Sequence, residues 1–125
     1  MVVFVDTSVI LAITFGEADA AGLAEQMGTY SAVAASGLLE AELRSACHRE
    51  GRPLNRVVFD NIDWITPVRP LSTEITRVLD AGYVRGADCW HLATALYLAP
   101  HPGELTFLTL DQRQRAVAST LGFAT

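Results

Sequence analysis

The chain has 125 residues, 50% of them hydrophobic, and a net charge of −5 from 9 basic and 14 acidic residues. That is enough chain for one domain, residues 1–125, to bury a core without disulfides or structural metal, and it is too apolar for disorder. All nine basic residues are arginine, which excludes a lysine-bearing phosphate loop and a Schiff-base enzyme, and the acidic balance excludes a general nucleic-acid coat.

No apolar stretch is long enough for a membrane helix; even Leu92 to Ala99 is too short and carries Thr94. The opening apolar run has no basic leader and meets Asp6 at once, so no signal peptide is expected and the chain is placed in the cytoplasm. Cys47 and Cys89 have no C-x-x-C spacing and read as small buried hydrophobes in a reducing compartment.

In chain order, Val2-Val-Phe-Val5 is an unbroken apolar run of the kind found in strands buried on both faces of a parallel sheet. It stops at Asp6, which puts a carboxylate at the strand's carboxyl end, where open α/β sheets place their ligand crevices. Ser8 is positioned to cap a helix running to Phe15, and Glu17 to Met27 reads as a second helix. Tyr30 to Ala35 reads as a strand. Ser36 then caps a helix from Gly37 to Glu50, ended by Gly51 with Pro53 beyond. A short helix over Leu54 to Asp63 and a strand over Ile65 to Val68 follow. Ser72 caps a helix through Ala81. Ala87 to Ala99 is apolar on nearly every side, so this helix is expected to be buried. Leu105 to Thr109 is a last full strand, Gln112 to Leu121 a closing helix, and Gly122-Phe-Ala124 a possible extra strand. Strands alternating with helices predict a three-layer α/β/α domain with a mostly parallel sheet.

Most of the acids fall in turns, helix starts or exposed faces, and Glu40 pairs with Arg44 at i,i+4. Glu42 does not. Leu38, Leu39, Leu43, Ala46 and Cys47 form one apolar arc, and at about 100° per residue Glu42 falls inside it. A carboxylate aimed at a core needs a cation or a donor, and a buried arginine pair is the plain explanation. Asp88 opens the apolar helix, Asp111 follows the last strand, and each alone, like Asp6, reads as a cap or turn residue.

Together they read differently. In a parallel sheet, strand ends and the helix starts that follow share one edge, so Asp6, Glu42, Asp88 and Asp111 can converge there. Four such carboxylates would repel one another unless divalent cations were present. An oxygen-only set with water suits Mg²⁺ or Mn²⁺ rather than Zn²⁺, and Thr7, Ser8 and Thr109 could add hydroxyls. Such a site hydrolyses phosphoesters.

The segments Val-Asp6-Thr-Ser-Val-Ile, Leu-Glu-Ala-Glu42-Leu-Arg-Ser, Gly-Ala-Asp88-Cys-Trp-His-Leu-Ala-Thr-Ala-Leu and Phe-Leu-Thr-Leu-Asp111 also carry a family likeness. In order and spacing they resemble the PIN-domain nucleases, and among these the chain looks most like the VapC ribonuclease toxins of bacterial toxin–antitoxin pairs. The likeness runs from Val2 to Gly122. It implies that Asp6, Glu42, Asp88 and Asp111 bind Mg²⁺ or Mn²⁺, with Thr7, Ser8 and Thr109 in support. It also implies endonucleolytic cleavage of RNA, an antitoxin protein as partner and a homodimer. Where PIN domains often carry a further acid, this chain has His91, which reads as a buried helix residue with a hydrogen-bonding role near the site as the other reading.

Arg44, Arg49, Arg52 and Arg56 form a loose basic stretch, and Arg113 and Arg115 follow Asp111. Solvated faces explain both groups, while arginine also suits bidentate phosphate contacts, so Arg44, Arg49, Arg113 and Arg115 are candidate RNA contacts. Trp90 and Tyr97 read as core. Two other classes compete with the nuclease: a non-catalytic binding module of the same fold, and a phosphoacceptor domain, which would need a lysine this chain lacks. A D-x-D phosphatase is excluded because Thr7-Ser8 follows Asp6.

Overall fold

In the computed structural model, which describes residues 1–125, Val2–Val5 forms strand β1 and is packed from both sides. Phe4 belongs to one core cluster, while Val3 and Val5 belong to another on the opposite face. The remaining elements are α1 (Thr7–Thr14), α2 (Ala20–Gly28), β2 (Ala32–Ser36), α3 (Gly37–Glu50), α4 (Arg56–Asp60), β3 (Ile62–Ile65), α5 (Ser72–Ala81), α6 (Gly86–Leu98), β4 (Leu105–Leu108) and α7 (Gln112–Leu121). A 3-10 turn at Pro102–Glu104 precedes β4.

The four strands run β3-β2-β1-β4 and every pair is parallel. The α/β fold read from the sequence is therefore the fold observed. Helices α1 and α3 pack with Val3, Val5, Ala35 and Leu108 on one face. Helices α5, α6 and α7 pack with Phe4, Ala34 and Phe107 on the other. Phe4 and Phe107 stack across neighbouring strands with ring centroids 5.7 Å apart, a contact that contributes roughly 0.5–1.5 kcal/mol beyond the area buried. Residues Leu92 to Leu96 of α6 are all buried, as its all-round apolar pattern predicts. No helix is long and apolar enough to cross a membrane.

The strand order decides where a ligand can sit. From β1 the chain steps one way to β2 and β3, then returns to place β4 on the other side of β1. Such a reversal opens a crevice outside the carboxyl ends of the two strands. Val5 pairs with Leu108, so Asp6 and Thr109 emerge side by side at that crevice.

Several boundaries differ from the expected ones. The strand expected at Ile65 to Val68 is β3 at Ile62–Ile65. As an edge strand it leaves Asp63 facing water, which makes the acid look like a turn residue. The helix expected over Leu54 to Asp63 shrinks to α4, because the Asn55 side chain caps it by accepting from the Val58 amide and Asn61 ends it. Helix α2 begins at Ala20 rather than Glu17. The segment Gly122-Phe-Ala124 makes only a single bridge, Thr106 to Ala124. Gly51 ends α3 in the left-handed region, φ 62°, as expected. Gly82 follows α5 for a different reason: a Cβ there would stand 2.9 Å from Val117 Cγ2, so only glycine lets α7 pack this closely.

Candidate active site

Asp6 is 3% exposed at the end of β1. Its amide donates to the Leu108 carbonyl at 3.2 Å, and its carboxylate Oδ1 accepts from Ser8 Oγ at 2.6 Å. Ser8 Oγ in turn accepts from the Leu110 amide at 3.0 Å. The serine expected as a helix cap is thus no cap; Asp6 occupies the N-cap position of α1 without a side-chain capping bond. The Ser8 hydroxyl instead ties the start of α1 to the turn after β4. Burial pushes the Asp6 carboxyl above its ordinary value; the hydrogen bond from Ser8, the charge of His91 and the nearby Thr109 hydroxyl oppose this, and the charge of Asp88 adds to it.

Glu42 reaches the same edge from α3, with its side chain 37% exposed. Oε1 accepts from Thr7 Oγ1 at 2.7 Å and meets His91 Nε2 at 3.0 Å. The arginine partner that would have explained an inward glutamate is not there. The arginine ion pairs are Arg44–Glu40, Arg49–Glu50, Arg56–Asp60 and Arg69–Glu74, and none includes a site acid. His91 is 1% exposed and its Nδ1 lies 2.8 Å from Ser36 Oγ. Ser36 holds the N-cap position of α3 but makes no side-chain cap bond.

Asp88 lies in the first turn of α6 and is half-buried. Its carboxyl is raised by burial first and then by the charge of Asp111, with a smaller contribution from Glu42; His91 and Arg85 act against these. Asp111 is the N-cap of α7, where Oδ1 accepts from the Gln114 amide at 2.8 Å. The capping role read for Asp111 alone is therefore present, and it engages one oxygen. Thr109 is fully buried and accepts from the Asp111 amide at 3.0 Å. It donates to Gln114 Oε1 at 2.9 Å, and Gln114 Nε2 reaches the Asp88 carbonyl at 3.4 Å.

Gln114 was not among the residues singled out from the sequence. A signal existed: it lines up at helical spacing with Val117, Ala118 and Leu121, so it is a polar residue on an apolar stripe, as Glu42 is. Arg85 was missed as well. It stands at the N-cap of α6 and lines, with Tyr83, Asp88, Asp111 and Arg113, a cleft of about 290 Å³. The Arg113 guanidinium lies over the Tyr83 ring at 5.6 Å. Of the other candidate RNA contacts, Arg115 donates to the Thr109 carbonyl at 2.8 Å and so supports the turn. Arg44 is paired with Glu40, and Arg49 lines a separate cleft with Phe15, Glu50 and Arg52.

Asp6, Glu42, Asp88 and Asp111 thus frame one strand edge, and electrostatics couples them. No three acidic, histidine or cysteine side chains converge tightly enough to close a cage around an ion. The donor set is nevertheless all oxygen, two of its members are raised by burial and by the charge of other members of the set, and no arginine pairs with any of them. Those are the conditions a hard cation relieves, and Mg²⁺ is commonly held by one or two carboxylates while keeping several waters. The residues fit such an ion.

A family model described as PIN domain matches residues 3–119. No curated protein and no solved structure gives a match.

Proposed function

The chain belongs to the PIN-domain family, whose members are mostly metal-dependent ribonucleases, and from that premise we propose that it is a Mg²⁺- or Mn²⁺-dependent endoribonuclease acting as the toxin of a toxin–antitoxin pair. The observation that carries the nuclease reading is the buried Asp6 carboxylate at the strand reversal, raised by burial with no basic partner bonded to it. The toxin assignment, with a protein antitoxin and a second copy of the chain as partners, rests on the likeness of the four acidic segments to the VapC toxins. A cytoplasmic location goes with that assignment.

In this reading Asp6, Glu42, Asp88 and Asp111 hold the cation. When bound, it supplies an activated water and offsets the charge of the phosphodiester. The chain's own residues do the positioning. Ser8 orients Asp6 through Oδ1, and Thr7 orients Glu42 through Oε1. The Gln114 amide and the Thr109 hydroxyl set the Asp111 turn. Arg85 and Arg113, beside Asp88 and Asp111 in the open cleft, are placed to meet the RNA backbone on its way in.

The test is incubation of the purified chain with total RNA in Mn²⁺, in Mg²⁺ and in chelator, beside an Asp6→Asn variant. Discrete fragments that require metal and disappear in the variant are expected. No cleavage in any condition sinks the catalytic reading. The second reading is a non-catalytic binding module of the same fold, and the observation favouring it is the absence of three converging ligand side chains. Calorimetric titration with Mn²⁺ separates the two, since the binding module takes up no ion.

A further inference from the structure

His91 is a polar side chain on a helix whose next five residues, Leu92 to Leu96, are all buried; it is itself 1% exposed, and both of its ring nitrogens are engaged. Nε2 lies 3.0 Å from Glu42 Oε1 and 3.2 Å from Thr7 Oγ1, and Nδ1 lies 2.8 Å from Ser36 Oγ. The proton positions follow from the partners. An ionised carboxylate only accepts, and the single hydroxyl hydrogen of Thr7 is used on Glu42 at 2.7 Å. Nε2 must therefore carry a hydrogen, shared between Glu42 and Thr7. Nδ1 meets the Ser36 hydroxyl, which can donate to it or accept from it, so the far side of the ring is held while Nε2 faces Glu42. Ser36 gives up helix capping for this bond, although it occupies the N-cap position of α3.

The consequence lies at Glu42. Both bonds arrive at Oε1, from α1 and α6, while Ser36 at the end of β2 holds the far side of the imidazole. Three separate segments thus fix one carboxylate from behind. We propose that His91 is a positioning residue of the cation site: held on its far side by Ser36, it holds Glu42 through Oε1 and leaves Oε2 as the oxygen offered to the ion. This rests on the metal-dependent reading above. A buried histidine serving only to fill the core would not need its two nitrogens aimed at a site acid and at a hydroxyl diverted from a cap. Outer partners that orient a ligand in this way commonly govern metal affinity as strongly as activity.

The experiment is titration of the full chain with Mn²⁺, read by calorimetry, with thermal melting of the same samples as a folding control. The variants are His91→Leu, His91→Gln, Ser36→Ala and Glu42→Gln. Leucine removes the donor, whereas the glutamine amide nitrogen can stand where Nε2 stood. His91→Leu is expected to weaken Mn²⁺ binding by about 10- to 100-fold, His91→Gln to restore most of it, and Ser36→Ala to give a smaller loss. In the Glu42→Gln background, His91→Leu should cause no further loss, because its effect passes through that carboxylate. A folded His91→Leu chain that binds Mn²⁺ as the wild type does overturns the proposal. If His91→Leu fails to fold, a folded Ser36→Ala chain with wild-type affinity overturns it. Failure of the wild type to bind Mn²⁺ is a separate result: it removes the metal-dependent reading, and the positioning role falls with it.

Discussion

Glu42 comes to the strand edge over the sheet face covered by α3 and is met by a fully buried histidine and a buried threonine. Asp88 and Asp111 come from the first turn of α6 and the N-cap of α7 and line an open cleft with Tyr83, Arg85 and Arg113. One side of the site is therefore oriented by interior side-chain donors, and the other by helix starts and solvent-facing arginines. The difference has a physical basis. A half-buried carboxylate among apolar side chains must be given donors from within, or the fold is destabilised. A carboxylate at a helix start already has backbone amides and a favourable dipole. Interior substitutions should therefore disturb stability and function together, while those in the open cleft should separate them.

Asp111 offers the largest separation. Asparagine caps a helix about as well as aspartate, so Asp111→Asn should melt within a few degrees of the wild type. Its cleavage should fall on the order of 100-fold or more, since even outer partners of a ligand cost 10–100-fold. Asp111→Ala should lose the same activity and also about 1 kcal/mol of stability with the cap. Equal activity of the asparagine variant and the wild type would reduce Asp111 to its capping role.

The buried side should respond to metal and to pH. Saturation with Mn²⁺ at a hundred times its Kd is expected to stabilise the fold by ~2.7 kcal/mol. Without metal the sign of the pH dependence is set by burial, which raises Asp6 and Asp88. The folded chain then holds those protons more tightly than the unfolded one. Their contribution is fully present below the ordinary carboxylate value of ~3.9 and is lost as pH rises through the raised values. Asp6→Asn should remove part of that decline. Glu74, held low by its bond to Arg69, acts in the opposite direction but is common to both chains. Parallel melting curves against pH for wild type and variant would show that Asp6 is not the group responsible.

The smallest effect belongs to Arg113. It is exposed and stacked on Tyr83, so Arg113→Ala should change stability by no more than about 0.5 kcal/mol. If it meets a phosphate, the slope of RNA affinity against salt should fall by about 1. An unchanged slope would move RNA entry away from the Arg85–Arg113 side.

Much of this was legible locally. The apolar run Val2–Val5 reads as a strand packed on both faces, and it is one. The last helix begins and ends where its cap and glycine indicate, at Gln112 and Leu121. Glu42 lies on the inner side of α3 because helical periodicity places it there whatever surrounds the helix. Periodicity, caps and breakers act over one or two turns, so they survive without knowledge of the fold.

Tertiary structure decided the partners. That β4 lies beside β1, opening the crevice at Asp6, depends on a crossover between residues about a hundred positions apart. That Glu42 meets His91 rather than an arginine depends on α3 and α6 facing each other across the sheet edge. Ser8 and Ser36 have the local pattern of caps, yet their hydroxyls turn to Asp6, Leu110 and His91, because a buried acceptor or donor across space binds a hydroxyl more strongly than a helix end that water can satisfy. Sequence shows which side chains are polar and which way they face; only the folded chain shows which of their possible hydrogen bonds are made.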